Sequence, residues 1–335
     1  MQCYFEKREG KRKMKDWIVK PDKVKERVIF WQKEYPKYLE VATNREPTGY
    51  EAYCLTITNK SIPSDKKEKL FISVPHAHEP AGTAACIEII NQLLTGKTLA
   101  GQKISLKIEE VLKRIVLTII PDANPDGRAR APVEYWDGKK YTNNQFWCYM
   151  RGEDPDNPGK MWKRTDIWDK RKEKSYPNPI GIVYEPIDRY RYVEPNRSWE
   201  SSLFKLYFEM AKKHRYSYWL DLHQTEFGNS KYNCEVILPT SHLDAPSNIQ
   251  RKNERWAEII VNAWKEYGAN PKAKSEPLCY TGVQKNYFVK CWKDIQTKIS
   301  MVSTEVQNNN KRTPPKIQKK LQEIAIRRSL EMILK

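Results

Sequence analysis

Three side chains of this sequence have the types and positions expected of ligands for a catalytic metal ion. His76 and Glu79 are three residues apart in FISVPHAHEP, directly after an apolar run that ends at Val74. One tight turn there could direct an imidazole nitrogen and a carboxylate oxygen at a common point. His223 follows another apolar run, in YWLDLHQTE. Catalytic zinc takes three protein ligands and leaves a fourth position for water, and two histidines with one glutamate form a known set. The sequence therefore predicts one Zn²⁺ per chain, held by His76, Glu79 and His223.

Other readings of these histidines exist. The chain has five histidines, at positions 76, 78, 214, 223 and 242. His78 competes with His76 for the metal, but we expect the two side chains of this HxH pair to point oppositely on a continuing strand, and we treat His78 as a residue of the surrounding pocket. The HxxE spacing by itself is weak, because two common residue types recur at a fixed distance by chance. A histidine after an apolar strand, such as His223, is more often a hydrogen-bonded core or rim residue than a ligand.

The segments that must position these residues alternate between strands and helices. The predicted strands are Ala52 to Ile57, Leu70 to Val74, Ile115 to Ile120, Tyr218 to Leu222, Glu235 to Leu238 and Met301 to Thr304. The first predicted helix begins at Pro21 and ends near Tyr35. The other predicted helices cover about Gly82 to Leu94, Trp199 to Lys213, Trp256 to Trp264 and Lys316 to the end. This alternation is typical of an α/β domain with a mixed, largely parallel sheet and helices on both faces. Ligands of such folds collect outside the carboxyl ends of the strands, where His76, His223 and Glu305 stand.

The bulk composition indicates a folded globular protein and leaves its partners open. Of the 335 residues, 39% are hydrophobic and 30% are charged, which is the balance of an ordinary globular chain. The formal net charge of +18 would attract anionic partners such as acidic peptides, polyanionic cell-surface material or nucleic acid. A basic surface that only aids solubility is the alternative. No recognised nucleic-acid motif occurs, so we expect no nucleic-acid partner.

Cysteine usage and the ends of the chain bear on compartment and organisation. The seven cysteines are an odd number without CxxC spacing, which argues against a disulfide framework or a cysteine zinc site. No segment approaches the ~18 apolar residues of a membrane span, and the basic N-terminus lacks the apolar stretch of a signal peptide. We expect a cytoplasmic location by default, although a secreted chain stripped of its signal would look the same. Residues 1–20 are interpreted as an extension and residues 21–335 as one domain.

Five motifs in a fixed order resemble the zinc carboxypeptidases of the A and B type. They are His76-Ala77-His78-Glu79, Asn124-Pro125-Asp126-Gly127, Asn196-Arg197, the strand-ending His223 and the strand-ending Glu305. The resemblance covers roughly residues 20 to 335 and implies a catalytic domain on an eight-stranded type of mixed sheet. Residues 128–195 form a longer connection than the family's usual one. This aromatic-rich insertion could line the approach to the metal or simply pack onto the domain.

The resemblance also implies a role for each matching residue. His76, Glu79 and His223 would bind zinc. Glu305 would take the proton from the attacking water and then deliver it to the leaving amine. Arg197 would form a bidentate pair with the terminal carboxylate of the substrate, assisted by the Asn196 amide. An arginine in this role favours hydrolysis at the end of a peptide over hydrolysis within it.

For two further roles of the family, the sequence offers two alternative residues each. The family's oxyanion arginine follows a tryptophan, whereas this chain reads Trp162-Lys163-Arg164. Either Lys163 replaces that arginine or Arg164 shifts into its place, and a lysine would keep the charge but lose the planar fork. For the family's mobile tyrosine, Tyr280 is the choice because a glycine follows shortly after it, and Tyr287 is the alternative.

These residues favour a zinc metallocarboxypeptidase, a peptide hydrolase whose substrate has a free C-terminal carboxylate. A zinc deacylase or amidase acting on N-acyl amino acids, cell-wall peptides or γ-glutamyl peptides is the second hypothesis. The third is a catalytically silent homologue that binds polyanions through its basic surface. The net charge of +18 further suggests acidic peptide substrates.

Overall fold

The computed structural model describes residues 16–154, 157, 159–161, 167–172, 180–228 and 230–335. The described strands are β1 (Leu39–Arg45), β2 (Glu51–Ile57), β3 (Glu68–Ser73), β4 (Ile115–Ile120), β5 (Trp168–Asp169), β6 (Glu185–Pro186), β7 (Arg191–Val193), β8 (Tyr218–Thr225), β9 (Cys234–Ile237) and β10 (Ser300–Gln307). The described α-helices are α1 (Pro21–Glu34), α2 (Pro80–Thr95), α3 (Ile108–Arg114), α4 (Pro125–Arg130), α5 (Asn143–Arg151), α6 (Ser202–Lys213), α7 (Ser247–Glu266), α8 (Gly282–Gln296) and α9 (Pro315–Leu334).

Seven of these strands form one mixed sheet, in the order β1-β2-β4-β3-β8-β10-β9. Strand β3 pairs in parallel with β4 and β8, and β10 pairs in parallel with β8. The three outer pairings, β1 with β2, β2 with β4 and β10 with β9, are antiparallel. The predicted α/β domain with a mixed sheet is therefore confirmed.

The sheet differs from the prediction in two details. Among the described residues it has seven strands where eight were expected, and its parallel and antiparallel pairings are equal in number. The first strand, β1, was not predicted because it lacks an apolar run: only Leu39 of its seven residues is buried. As an edge strand it packs one residue into the core and leaves the others partly exposed.

Helices cover both faces of the sheet because the central strands are apolar on both sides. All six residues of β4 are buried, as expected for a strand between two helical layers. Ile72 belongs to the cluster that packs against α1, α2, α7 and α9, whereas its neighbour Phe71 packs against α6 and α8. Successive side chains of a strand point to opposite faces, so this alternation builds two cores. None of the described helices combines the length and apolarity needed to cross a lipid bilayer.

The residues that precede α1 pack onto the domain. Trp17 and Val19 are buried against Ala81 and Ala84 of α2. The Trp17 Nε1–H donates to the carbonyl oxygen of Glu134 over 2.9 Å. The predicted boundary at residue 20 stays a prediction, since residues 1–15 lie outside the described part of the chain.

A second, three-stranded sheet lies within the predicted insertion. Strand β7 pairs antiparallel with both β5 and β6. Trp168 of β5 packs against Tyr184 and Tyr192 at ring separations of 5.2 and 5.6 Å. Phe146 and Trp136 belong to the same buried cluster, so many of the insertion's aromatic residues pack the insertion onto the domain.

Candidate metal centre

The predicted ligands converge at the carboxyl ends of the central strands. Strand β3 ends at Ser73, and the chain turns through His76 to Glu79 before α2 begins at Pro80. His223 lies near the end of β8 and Glu305 near the end of β10, and the two are directly paired across these strands. Because β3, β8 and β10 run parallel, their ends meet at one edge of the sheet.

A single carboxylate oxygen of Glu79 is the centre of this cluster. Glu79 Oε1 lies 3.0 Å from Nδ1 of His76 and 3.0 Å from Nδ1 of His223. A third imidazole nitrogen, Nε2 of His78, lies 3.7 Å from the same oxygen. All four side chains are buried. Burial raises the pKa of Glu79, but the neighbouring charges of His223 and His76 outweigh it and hold that pKa well below its usual value.

In His76 and His223, the ring nitrogen that points away from Glu79, Nε2, faces another carboxylate. His223 Nε2 lies 2.7 Å from Asp221 Oδ2, and Ser73 Oγ donates to the other oxygen of Asp221 over 2.5 Å. His76 Nε2 lies 3.8 Å from Glu194 Oε1. Burial lowers the pKa of His223, but the carboxylates of Glu79 and Asp221 raise it well above the usual value. The His223 ring is thereby oriented with Nδ1 towards Glu79, whereas Nε2 of His76 has no hydrogen-bond partner among the described residues.

Glu305 shares the cavity with this cluster. The residue is half-buried as a whole, but its Oε2 is shielded from solvent and has no hydrogen-bond partner among the described residues. Burial, and then the negative charges of Glu79 and Glu235, raise the pKa of Glu305 to about 8 against the opposing effect of His223. A carboxyl group poised near neutral pH suits proton transfer.

A charged group of three side chains, Arg151, Glu194 and Arg197, lines the same cavity. Glu194 is contacted by the guanidinium groups of both Arg197 and Arg151, the latter over 2.5 Å. Burial raises the pKa of Glu194, but Arg151 and Arg197 lower it to about 2. Asn196 Oδ1 accepts a hydrogen bond of 2.6 Å from Arg197 Nη1. Two guanidinium groups and one carboxylate leave this buried group with one net positive charge.

All of these side chains line one cavity of about 200 Å³. A larger cavity of about 780 Å³, between α1 and residues 133–141, contains no histidine among its lining residues. The predicted ligands and Glu305 thus lie together in the smaller one. It combines a His–Glu cluster, a carboxyl group of raised pKa and a positive wall.

The sequence of residues 31–226 matches the family model described as zinc carboxypeptidase. This stretch is more than half of the chain. The chain belongs to the zinc carboxypeptidase family. The predicted family and the predicted class of enzyme, a zinc metallocarboxypeptidase, are confirmed.

Solved carboxypeptidases share the fold. Bovine thrombin-activatable fibrinolysis inhibitor, in complex with tick carboxypeptidase inhibitor, has a TM-score of 0.58 at 15% identity, over 96% of this chain and 99% of that chain. Carboxypeptidase A from Helicoverpa armigera has a TM-score of 0.59 at 13% identity, over 96% and 74%. A metallo-carboxypeptidase from Burkholderia cenocepacia has a TM-score of 0.56 at 13% identity, over 92% and 68%. No curated protein matches the chain.

The cluster fits the zinc ion that the carboxypeptidase family implies. Two donors bonded to one tetrahedral zinc at about 2.1 Å lie roughly 3.4 Å apart, close to the separations measured around Glu79 Oε1. Asp221, at Nε2 of His223, is the kind of partner that ligating histidines ordinarily have. Glu79 Oε2 is buried and has no hydrogen-bond partner among the described residues. Ligand atoms of His76, His78 and Glu79 all lie within 4.8 Å of one another.

The predicted tyrosine and the predicted oxyanion residues have different outcomes. Tyr280 lines the cavity, and its ring lies 4.4 Å from that of Phe288 and 5.6 Å from the Arg197 guanidinium carbon. Tyr287 is not among the described residues that line it. Lys163 and Arg164 lie outside the described residues. The roles of all these residues in this carboxypeptidase stay predictions.

Several residues of the site were missed by the sequence analysis. Asp221 is two residues before His223, and this strand alternation could have identified it as a neighbour on the same face. Glu194 is three residues before Arg197, in a short helical turn that brings the two together. Arg151 carries no such local signal, because it reaches the site from the end of α5, a helix of the insertion. Arg128 Nη2 contacts the His76 carbonyl oxygen over 3.4 Å and so supports the metal-binding turn.

The NPDG motif of this carboxypeptidase is a structural clamp beneath the same turn. Asn124 caps α4 by accepting from the Gly127 N–H over 2.9 Å, and its amide donates to the carbonyl oxygens of Ile182 and Val183. A Cβ at Gly127 would lie 2.1 Å from the Ile182 oxygen and 2.8 Å from Cβ of Ala77. Only glycine fits between the insertion and the turn that carries His76.

Replacement of Gly127 by Ala is expected to lower the free energy of unfolding by about 1–3 kcal/mol, because overpacking forces backbone shifts. Zinc affinity should fall as well, since Ala77 lies between two histidines of the cluster. Urea unfolding and chelator competition would measure both effects. Ala129→Ser, at an exposed position of the same helix, is the control. Equal stability of Gly127→Ala and wild type would contradict the clamp.

Proposed function

We propose that this chain hydrolyses the C-terminal peptide bond of peptides as a zinc-dependent carboxypeptidase. The observation that supports this most strongly is that one cavity holds the His–Glu cluster, Glu305 and the guanidinium group of Arg197. The first two can cleave an amide bond. The third can recognise the end of a chain.

His76, Glu79 and His223 would hold the zinc ion. When bound there, zinc polarises the scissile carbonyl and lowers the pKa of a bound water. Asp221 orients the His223 imidazole, because it lies within hydrogen-bond distance of the nitrogen that does not point at Glu79. The Glu194 carboxylate lies 3.8 Å from the corresponding nitrogen of His76, which is too far for a hydrogen bond.

Glu305 acts as the general base and then as the general acid. Its carboxylate takes a proton from the attacking water and returns it to the leaving amine. It lies one strand away from His223, on the face of β10 that looks into the cavity, together with Ser303 and Met301. Because Oε2 is shielded from solvent, a proton taken from the attacking water can be passed to the leaving amine.

Arg197 recognises the terminal carboxylate of the peptide. The group of Arg197, Arg151 and Glu194 has one positive charge in excess, which a single carboxylate would balance. Arg197 Nε is buried and has no hydrogen-bond partner among the described residues. A guanidinium group offers paired donors that match the two oxygens of a carboxylate. An internal peptide segment would leave this charge unbalanced, at a cost in binding.

The pocket for the substrate's terminal side chain lies beside Glu305, between β10 and α8. Met301 and Ser303 share the face of β10 that carries Glu305, and Phe288, Trp292 and Gln296 recur along one face of α8. Every charged side chain among the described lining residues belongs to the ligand cluster, to Asp221, to Glu305 or to the arginine group. This lining favours an apolar side chain, and the acidic preference suggested by net charge finds no partner here.

Terminal Phe or Leu is therefore expected to be released with a kcat/KM about 10²-fold above that of Asp or Lys, because a buried unpaired charge costs several kcal/mol. The measurement is release from a peptide series that differs only in its last residue. Ser303→Asp should shift the preference towards Lys, whereas Ser303→Ala should leave it unchanged. Equal release of Phe and Asp by the wild type would contradict the apolar pocket.

The test of the function as a whole compares three substrates of zinc-loaded protein: a peptide with a free C-terminus, the same peptide amidated, and an N-acyl amino acid. A carboxypeptidase releases the terminal residue of the first and spares the second. Preferential cleavage of the N-acyl amino acid would identify a deacylase instead. Failure to cleave any of them, with zinc bound, would refute the proposed reaction.

A further inference from the structure

The turn between β3 and α2 places two imidazoles on the same side. Residues two apart on a strand share a face, and β3 in any case ends at Ser73, before His76 and His78. A tight turn at Ala77 and His78 stacks their rings, with centroids 5.2 Å apart and planes inclined by 20°. The expectation that the two side chains would point apart is therefore wrong. His78 faces the same cavity as His76.

The ring of His78 has no hydrogen bond among the described residues. Its Nδ1 is buried without a partner, and its Nε2 is 3.7 Å from Glu79 Oε1, which is beyond hydrogen-bond length. The ring is held by an edge contact with Phe146 at 6.0 Å, and the His78 carbonyl oxygen accepts from Asn308 Nδ2 over 3.1 Å. Buried polar groups ordinarily have a partner. The His78 imidazole lacks one in the described part of the chain, as do Nε2 of His76 and both ring nitrogens of His214, and only His78 and His76 of these lie beside Glu79.

The spacing around Glu79 is that of ligands around one ion. Donors on a tetrahedral zinc are about 3.4 Å apart, and the rings of two such histidines have centroids about 5 Å apart. Glu79 Oε1 lies 3.0, 3.0 and 3.7 Å from nitrogens of His76, His223 and His78. The ring of His76 lies 5.1 Å from that of His223 and 5.2 Å from that of His78. His78 meets the same spacing as the predicted ligands.

We propose that His78 is a fourth protein ligand of the metal ion in the substrate-free protein, through its Nε2. The inference rests on the proposed zinc site and extends it from a His₂Glu set to a His₃Glu set. Four protein ligands make a closed site, as in structural zinc centres, whereas a catalytic site keeps one position open. In such a set His78 would take the position that a catalytic site leaves to water, so water binding would require that the ring moves aside or that the ion accepts a fifth ligand.

The test measures metal binding directly, with Zn²⁺ in competition with a chelator and with the visible absorption of Co²⁺ in its place. His78→Phe keeps the ring and its contact with Phe146, and His78→Gln is a second variant of smaller volume. We expect each to bind Zn²⁺ at least tenfold more weakly than wild type and to change the Co²⁺ spectrum as a nitrogen ligand is lost. His214→Gln, a histidine remote from the cavity, should change neither.

The outcomes separate this inference from the proposed function. Unchanged affinity and an unchanged Co²⁺ spectrum in folded His78→Phe and His78→Gln would overturn the inference and leave a three-ligand carboxypeptidase intact. Wild type that binds neither metal would overturn both. Weaker binding by His78→Phe together with faster turnover per bound zinc would support a ligand that shields the metal.

Discussion

Replacement of Glu305 by Gln is expected to slow release of the terminal amino acid by about 10²–10⁴-fold, the usual contribution of a general acid–base group. The amide has the shape of the carboxylate but cannot take a proton from water. Zinc should remain bound, because Glu305 is not among the proposed ligands. Initial rates on a peptide ending in Phe, with zinc content measured on the same sample, would show both effects.

The pH profile gives an independent readout of the same residue. Burial, followed by the charges of Glu79 and Glu235, raises the pKa of Glu305 to about 8, and a bound cation would lower it by favouring the ionised form. The base must be ionised, so kcat/KM of the wild type should fall as the pH falls through the pKa that Glu305 has with the cation bound. Glu305→Gln should lack that limb.

The matched control is Glu235→Gln. Glu235 lies directly opposite Glu305 on the neighbouring strand β9 and pairs with Lys272 at 3.4 Å. Its removal should change the rate only a fewfold, through a small shift in the pKa of Glu305. Retention of more than a tenth of wild-type activity by Glu305→Gln would argue that another group moves the proton.

Replacement of Arg197 by Gln is expected to lower kcat/KM for peptides with a free C-terminus by about 30- to several-thousand-fold. Truncation of one partner of a buried, hydrogen-bonded charge pair costs about 2–5 kcal/mol. Here the variant leaves Glu194 and Arg151 as a neutral pair and removes the charge that would balance the substrate carboxylate. The loss should therefore be selective for free carboxyl ends.

The decisive measurement is the ratio of rates on free and amidated forms of one peptide. This ratio should collapse in Arg197→Gln and be partly retained in Arg197→Lys, which keeps the charge but not the planar fork. Arg191→Gln, at a partly exposed arginine paired with Asp188, should leave it unchanged. An unaltered ratio in Arg197→Gln would assign carboxylate recognition to another residue.

The sequence predicted the position of the chemistry better than its surroundings. His223 and Glu305 could be located because apolar strands that end in a polar residue are visible in one dimension. The partners of these residues could not, because they depend on strand pairing. Ser73 reaches Asp221 only through the pairing of β3 with β8, which brings together residues 148 apart in the chain.

The turn after β3 shows the same limit at shorter range. The sequence correctly ended the strand before His76, but ring directions depend on the backbone of the turn, which Arg128 and Asn308 hold from distant segments. Strand β1 illustrates a different failure. Its single buried residue gives no hydrophobic pattern, and its pairing with β2 comes from backbone hydrogen bonds that any sequence can form.

The order of strands in the main sheet has a consequence for synthesis of the chain. All three proposed zinc ligands have been made once residue 223 has left the ribosome, whereas Glu305 arrives with β10, which inserts between β8 and β9. A nascent chain would thus acquire its metal-binding residues well before its proton acceptor. Until β10 arrives, β8 has an open edge, and open edges recruit strands from other molecules. Chains truncated before residue 300 should therefore aggregate rather than persist as inactive monomers.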